Sequence, residues 1–208
     1  MLFRINPDNI LTNDIYKVVD ILENNGVIIY PTDSVYAMAC SLHSPKGIEK
    51  LSKLKKVTPE KLNLTLICSD LSHLSEYTKP TPNSVFRIMK KALPGPYTFI
   101  LQASSEVPKL FLKEKKKTIG IRVPDNTICR EIVKMLGCPL VSASLHNEGD
   151  EIMEYFTEPD SIRLQFEDIV DAIIDGGYGN VYTTTIIDCT NDEPEVIREG
   201  LGSLSVLD

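Results

Sequence analysis

The sequence predicts an α/β protein built on a single mixed sheet. Three observations carry this. Short apolar runs end in turn signals, as at Pro31, Pro124 and Asp175-Gly176-Gly177. Between them lie stretches with apolar residues at helical spacing. No long linker, internal repeat or low-complexity segment divides the chain, so one domain over residues 1–208 is expected.

Taken in order, Thr12 or Asn13 is suited to cap a first helix. Ile15, Val18, Val19 and Leu22 then share a face, and Gly26 suits the stop. Val27–Tyr30 reads as a buried strand. Ser44 before Pro45 joins an N-cap to a first-turn proline, opening a helix that carries Ile48 and Leu51 inward. Leu64–Cys68 is the next strand. Residues 70–77 and 83–92 read as helices, and "LPGPYTFILQA" breaks at Pro94-Gly95-Pro96 before a strand at Tyr97–Leu101. Thr118–Val123 is a strand, "NTICREIVKMLG" a helix closed by Gly137, and Pro139–Ser144 a short strand. Val170–Ile174 follows, and Thr184–Cys189 and Glu195–Arg198 form a final pair of strands around "NDEP".

Composition narrows the class. Apolar residues are 42% and charged residues 25% of the chain, ordinary for a globular protein. No apolar run approaches the roughly 18 residues of a membrane span. The start "MLFRINPDNILTND" lacks a signal-peptide core, which points to the cytosol. Cys40, Cys68, Cys129, Cys138 and Cys189 are scattered, with no CxxC pair, so reduced thiols are expected. His43, His73 and His146 show no metal-ligand spacing. The formal charge of −7 gives no general attraction to nucleic acid. One local exception gathers Lys109, Lys113, Lys115, Lys116, Lys117 and Arg122, readable as a solvated loop or as a phosphate-facing, RNA-binding patch.

Polar clusters recur beside the apolar runs: "YPTDS", "RVPDN", "VSAS" and "TTT". Turn chemistry explains any one of them. Together they suggest a ligand site, because α/β sheets collect ligands at strand ends. Phosphate loops of the GxxxxGK[ST] or GxGxxG kind are absent, and "SAS" lacks the glycines of a nucleophile elbow. The residues by themselves reach a small-molecule site, with room for an anion, and stop there.

Seven segments, in this order, resemble the YrdC/Sua5/YciO family: "GVIIYPTDSVYAMAC", "KLKKVTPEKLNLTLIC", "LPGPYTFIL", "KKKTIGIRVPDN", "PLVSASL", "TTTIIDCT" and "VIREG". The match runs from about Asn9 to Gly202 and is nearest the YciO branch. The resemblance implies a twisted open sheet around a concave, barrel-like cavity. It implies a threonylcarbamoyl-AMP synthase-like nucleotidyltransferase, using L-threonine, bicarbonate and ATP with Mg²⁺, in the service of tRNA t6A modification. Thr32 would contact the amino acid, with Tyr36 closing the pocket and Arg122 as an anion partner. Lys55 and Ser142 would act on the reacting phosphate, and Thr118, Ser144, Thr184 and Arg198 would complete the nucleotide site. Two positions depart from the synthases: Val57 replaces an arginine and Ser144 an asparagine. Valine cannot supply the forked bonds of a guanidinium. The same fold therefore also suits a double-stranded RNA or tRNA-binding module with reduced or lost catalysis, or an enzyme acting on another carbamoyl or acyl adenylate.

Overall fold

A computed structural model describes residues 1–56, 58, 65–72, 74–108, 117–145, 155–191 and 193–207. Val57, His73, Lys109, Lys113, Lys115, Lys116 and His146 lie outside the described residues.

Ten strands form one mixed sheet: β1 (Leu2–Arg4), β2 (Ile28–Tyr30), β3 (Ala37–Ser41), β4 (Thr65–Ile67), β5 (Tyr97–Gln102), β6 (Thr118–Arg122), β7 (Leu140–Ser144), β8 (Ala172–Asp175), β9 (Thr185–Asp188) and β10 (Glu195–Arg198). Their order across the sheet is β1-β8-β2-β3-β7-β4-β6-β5-β9-β10, open at both ends. Among the described residues six α-helices accompany them: α1 (Thr12–Glu23), α2 (Pro45–Leu54), α3 (Leu74–Tyr77), α4 (Asn83–Ala92), α5 (Thr127–Leu136) and α6 (Pro159–Phe166). The architecture is the expected α/β domain with a mixed sheet. No described helix is long and apolar enough to cross a membrane.

Local chemistry explains most boundaries. Ser44 Oγ accepts from Gly47 N at 2.9 Å and Pro45 occupies the first turn, so α2 starts where a cap and a fixed φ coincide. Asn126 caps α5 in the same way, accepting from Cys129 N at 3.0 Å. Gly137 closes that helix at φ 73°, a conformation glycine adopts without a Cβ penalty.

Three expectations need correction. The N-cap of α1 is Leu11, with no side-chain cap, and Thr12 and Asn13 lie inside the helix. Its left-handed stop is Asn25 at φ 67°, not Gly26, since asparagine also tolerates that region. Of the helix read over 70–77, Leu74–Tyr77 is helical and residues 70–72 are not; Asp70 Oδ1 instead accepts from Ser72 N at 2.6 Å, a local turn that competes with helix.

The two faces of the sheet differ, and the difference positions the site. On one face, Ile29, Met38, Leu66, Phe99, Ile119, Ile121, Val141, Ile173 and Ile187 form a continuous core, joined by Ile48 and Leu51 of α2 and Val85 and Met89 of α4. On the other, α1 and α5 cover Ile28, Tyr30, Ala37, Ala39, Leu140, Ala172 and Ile174. This second cluster takes nothing from β5, β6 or β9 among the described residues. There the strands alternate, with Phe99, Leu101, Ile119, Ile121 and Ile187 buried and Ile100, Gln102, Thr118, Gly120, Ile186 and Asp188 partly exposed. Half of one sheet face is thus apolar and covered by helices, and its other half is mixed and partly exposed, with Ile100 and Ile186 beside Gln102, Thr118, Gly120 and Asp188 and with Thr98 and Arg122 buried.

Candidate functional site

Strand register defines the accessible half-face. Ala39 pairs with Ser142, Ser142 with Thr65, Thr65 with Gly120, Gly120 with Ile100, and Ile100 with Asp188. Paired residues share a face, so this row crosses six strands, roughly 24 Å at about 4.8 Å per strand. Gly120 sits mid-row with no side chain. A Cβ there would lie 3.0 Å from Thr65 Oγ1 and 3.3 Å from Thr98 Cγ2. The floor is therefore flat and edged with hydroxyls.

At one end of β6 stands Arg122, only 7% exposed. Its Nη2 donates to Thr32 Oγ1 at 3.1 Å, to Ser34 Oγ at 2.8 Å, and to Asp33 Oδ1. Asp33 Oδ2 accepts from Asp125 N at 2.8 Å. The "YPTDS" and "RVPDN" segments, some 90 residues apart, thus meet at one buried ion pair. Arg122 Nε is buried without a hydrogen-bond partner.

Thr32 is held differently from its expected role as a direct contact. Its hydroxyl donates to Val35 O at 2.7 Å and accepts from Ser34 N at 3.0 Å as well as from Arg122. One donor and two acceptor sites are all a hydroxyl has. Thr32 therefore shapes the loop and orients Arg122. Beside it lies a hollow of about 350 Å³ lined by Thr32, Asp33, Ser34, Tyr178, Gly179, Asn180 and Val181.

Tyr36 does not close this hollow itself. It belongs to the core of the opposite face, and its OH donates to Gly177 O at 2.6 Å and accepts from Gly176 N at 3.3 Å. Burial pushes its phenol up to about 12. It holds the 176–181 wall from behind, while Asn180 N ties that wall to Ser34 O at 3.1 Å.

Among the remaining candidates, Thr118, Ser142, Ser144 and Arg198 lie on β6, β7 and β10, Thr184 precedes β9, and Lys55 ends α2, the helix that packs on the opposite face. Ser142 Oγ meets the Tyr30 OH at 2.7 Å and donates to Met38 O at 3.3 Å. Burial drives the Tyr30 phenol far above its ordinary range, so it stays neutral. Lys55 Nζ donates to Ser144 O at 3.3 Å, joining the end of α2 to the end of β7. Thr184 Oγ1 meets Thr98 Oγ1 at 2.9 Å, and Arg198 Nη2 donates to Thr184 O at 3.0 Å. Thr118 opens β6, four residues and about 13 Å of strand from Arg122. Lys117 is exposed, and the lysines that would join it in a patch lie outside the described residues. Sequence reasoning took Asp33 and Ser34 only as part of the "YPTDS" cluster, without a role for either, and passed over Thr65, Thr98 and Gly120. The alternation in "TIGIR" and "YTFILQ" was the available signal for the last two.

The cysteines stand apart from this chemistry. All five are free thiols; four are buried and Cys138 is partly exposed. Burial raises Cys40, Cys68, Cys129 and Cys189 to about 12, and also raises Cys138. They remain protonated and unreactive at neutral pH. A thiol reagent at pH 7.5 is expected to modify at most Cys138 in the folded protein, and all five thiols after denaturation.

A flat hydroxyl-edged floor, with a half-committed arginine at one end of β6, suits a small polar ligand with an anionic group. The class so defined is confirmed by comparison: the chain belongs to the Sua5/YciO/YrdC family, whose model carries the description "telomere recombination" and matches residues 20–200. Within the family it is 44% identical over 202 residues to the uncharacterized protein YciO of Escherichia coli (strain K12), covering 97% of this chain and 96% of that one. The crystal structure of E. coli YciO superposes with a TM-score of 0.90 at 43% identity, covering 100% and 98% of the two chains. The threonylcarbamoyl-AMP synthase of Coxiella burnetii is 29% identical over 177 residues, covering 85% and 92%. P. abyssi Sua5, crystallised with L-threonine, shares the fold with a TM-score of 0.86 at 20% identity, covering 96% of this chain and 57% of that one.

Proposed function

We propose that the protein is a nucleotidyltransferase of the threonylcarbamoyl-AMP synthase kind, making L-threonylcarbamoyladenylate from L-threonine, bicarbonate and ATP for tRNA t6A modification. The observation that carries this reading is the shared accessible half-face. Along it lie residues of β5, β6 and β7 and the start of β9, Thr98, Arg122, Ser142 and Thr184 among them, in a row long enough for a nucleotide, which supports this reading. The synthase relatives support it at the level of chemistry.

In this reaction the threonine amine combines with bicarbonate, releasing water and forming a carbamate. A carbamate oxygen then attacks the α-phosphorus of ATP, and the bond to pyrophosphate breaks. Such a displacement depends mainly on positioning and on neutralising phosphate charge. Arg122, oriented by Thr32 and Asp33, would anchor the amino acid by its anionic end. The Ser142 hydroxyl and the Thr98–Thr184 pair would orient the nucleotide through neutral hydrogen bonds. Lys55, tied to the end of β7, would meet a phosphate oxygen, and Thr118, Ser144 and Arg198, at the ends of β6, β7 and β10, would complete the nucleotide site. Among the described residues no cluster of three or more His, Cys, Asp or Glu could hold a metal ion. Mg²⁺ fits this site as a companion of the triphosphate, held by phosphate oxygens and water, where it would offset phosphate charge.

Incubation with [¹⁴C]bicarbonate, L-threonine and ATP is expected to yield the labelled adenylate. Lys55→Ala should lower its rate by roughly 10- to 150-fold, the value of a charge-assisted hydrogen bond of about 1.5–3 kcal/mol. No product above that variant's background would contradict the reading.

Two sequence features favour a second reading, an RNA-binding module of the same fold: Val57 and Ser144 stand where synthases carry arginine and asparagine. It predicts binding to double-stranded RNA that falls steeply with salt. Salt-insensitive binding, or none at low salt, would remove it.

A further inference from the structure

We propose that Thr185 is a positioning residue of the nucleotide site. Its buried hydroxyl clips down the chain beyond β10, so that Arg198 stands with a free guanidinium nitrogen beside the Thr98–Thr184 hydroxyl pair, as a cation for a phosphate group. This rests on the reading above, in which a nucleotide lies along that half-face.

Strand register explains how Arg198 comes to be there. Glu195 pairs with Asp188 and Val196 with Ile187, yet it is Arg198, not Ile197, that pairs with Ile186. One residue of β10 is thus extra, a β-bulge, and bulges re-aim the side chains that follow them. In unbroken register Arg198 would oppose Thr185, whose side chain shares the core face with Ile187. With the bulge it takes the face of Ile186 and of Thr98, the β5 partner of Ile186. There Arg198 is exposed, and its Nε and Nη2 both donate to Thr184 O, at 3.3 and 3.0 Å. Nη1 makes no hydrogen bond among the described residues. Thr184 Oγ1 lies 3.5 Å from Nη2 and 2.9 Å from Thr98 Oγ1. A guanidinium donor beside two neutral hydroxyls suits phosphate oxygens.

A bulge at the end of an edge strand holds its aim only if the chain beyond it is fixed. Thr185 fixes it. The Thr185 side chain is fully buried; its Oγ1 donates to Gly202 O at 2.7 Å and accepts from Gly200 N at 2.9 Å. Between these two bonds Leu201 N donates to Thr183 O at 2.9 Å, and just beyond them Tyr97 OH donates to Ser203 O at 3.0 Å. The turn lies so close that a Cβ at Gly200 would strike the Thr183 carbonyl, and one at Gly202 the Tyr97 ring. Only Glu199 separates Arg198 from this clipped turn. Thr185 offers no surface of its own to a ligand, so any effect it has on binding passes through Arg198.

Isothermal titration of the full chain with ATP and with adenosine, which lacks the phosphates, tests this. Arg198→Gln is expected to weaken ATP by roughly 10- to 150-fold, the value of one charge-assisted hydrogen bond. Thr185→Val removes both clip bonds while keeping a branched side chain, and should weaken ATP by at least about fivefold. Adenosine affinity should stay within about twofold in both variants, since the lost interaction is with phosphate. Thr185→Ser keeps the hydroxyl and should bind ATP as the unaltered protein does. Added to Arg198→Gln, Thr185→Val should weaken ATP no further, because it acts through that side chain. A merely structural role for Thr185 would weaken ATP and adenosine alike, or add in full to Arg198→Gln, and either pattern would overturn the proposal. If Thr185→Val does not fold, the exposed Arg198→Gln decides alone: unchanged ATP affinity there sinks the proposal. Failure of the unaltered protein to bind ATP would remove the nucleotide reading itself, and the role of Thr185 with it.

Discussion

Replacing Arg122 by methionine is expected to destabilise the fold by about 3–5 kcal/mol, read as a lowered urea midpoint with an unchanged slope. The change keeps an unbranched side chain of similar reach but removes the guanidinium. It leaves the Asp33 carboxylate nine-tenths buried without its counterion, and strips Thr32 and Ser34 of a shared donor. Breaking one half of a buried pair costs far more than the pair itself contributes. The double variant Arg122→Met with Asp33→Asn should therefore recover part of the loss, and the two changes should be strongly non-additive. Arg122→Lys retains the charge but not the fork, so it should hold some stability and lose ligand affinity. Additive, small effects would mean that the pair does not hold the two segments together.

The second large effect is expected at Gly120. A Cβ there lies 3.0 Å from Thr65 Oγ1 and fits only if that side chain gives by a few tenths of an ångström, so a longer chain must rise over the floor of the half-face. Gly120→Leu should weaken nucleotide binding by up to about 100-fold, equivalent to overpacking of up to about 3 kcal/mol. The backbone at Gly120 is regular strand within β6, so strain at φ plays no part. Gly120→Ala, adding one methyl, should retain most of the affinity. Full binding by Gly120→Leu would show that ligands lie elsewhere.

Much of the fold was legible because its signals are local. The apolar spacing of α1, the Ser44-Pro45 start of α2 and the Gly137 stop of α5 each arise within a few residues. Elements without such signals were missed. β1 is three residues long and stands only by pairing with β8. β3 reads "AMACS", buried on both faces, so it has no alternation to detect. α6 has a single buried residue, Ile162, and starts without a side-chain cap.

The site was legible in its parts and not in its assembly. The hydroxyl clusters and Arg122 stood out by composition. That Asp33 partners Arg122 depends on a contact across 89 residues of sequence, which no spacing rule encodes. Thr32 looked like a ligand contact because it is a hydroxyl in a polar cluster. Only the hydrogen bonds reveal that its valences are already filled. The half-face itself could have been anticipated, since Thr118, Gly120 and Arg122 alternate with Ile119 and Ile121.

The central claim is that ligands bind on the polar half of the face that α1 and α5 leave accessible. An amide chemical-shift map of the isotope-labelled protein, titrated with L-threonine and then ATP, addresses it directly. Shifts should gather at Thr32–Ser34, Thr65, Thr98, Gly120, Arg122, Ser142 and Thr184. Shifts confined to the opposite face, or to the groove formed by Asn24, Lys46 and Lys50, would contradict it.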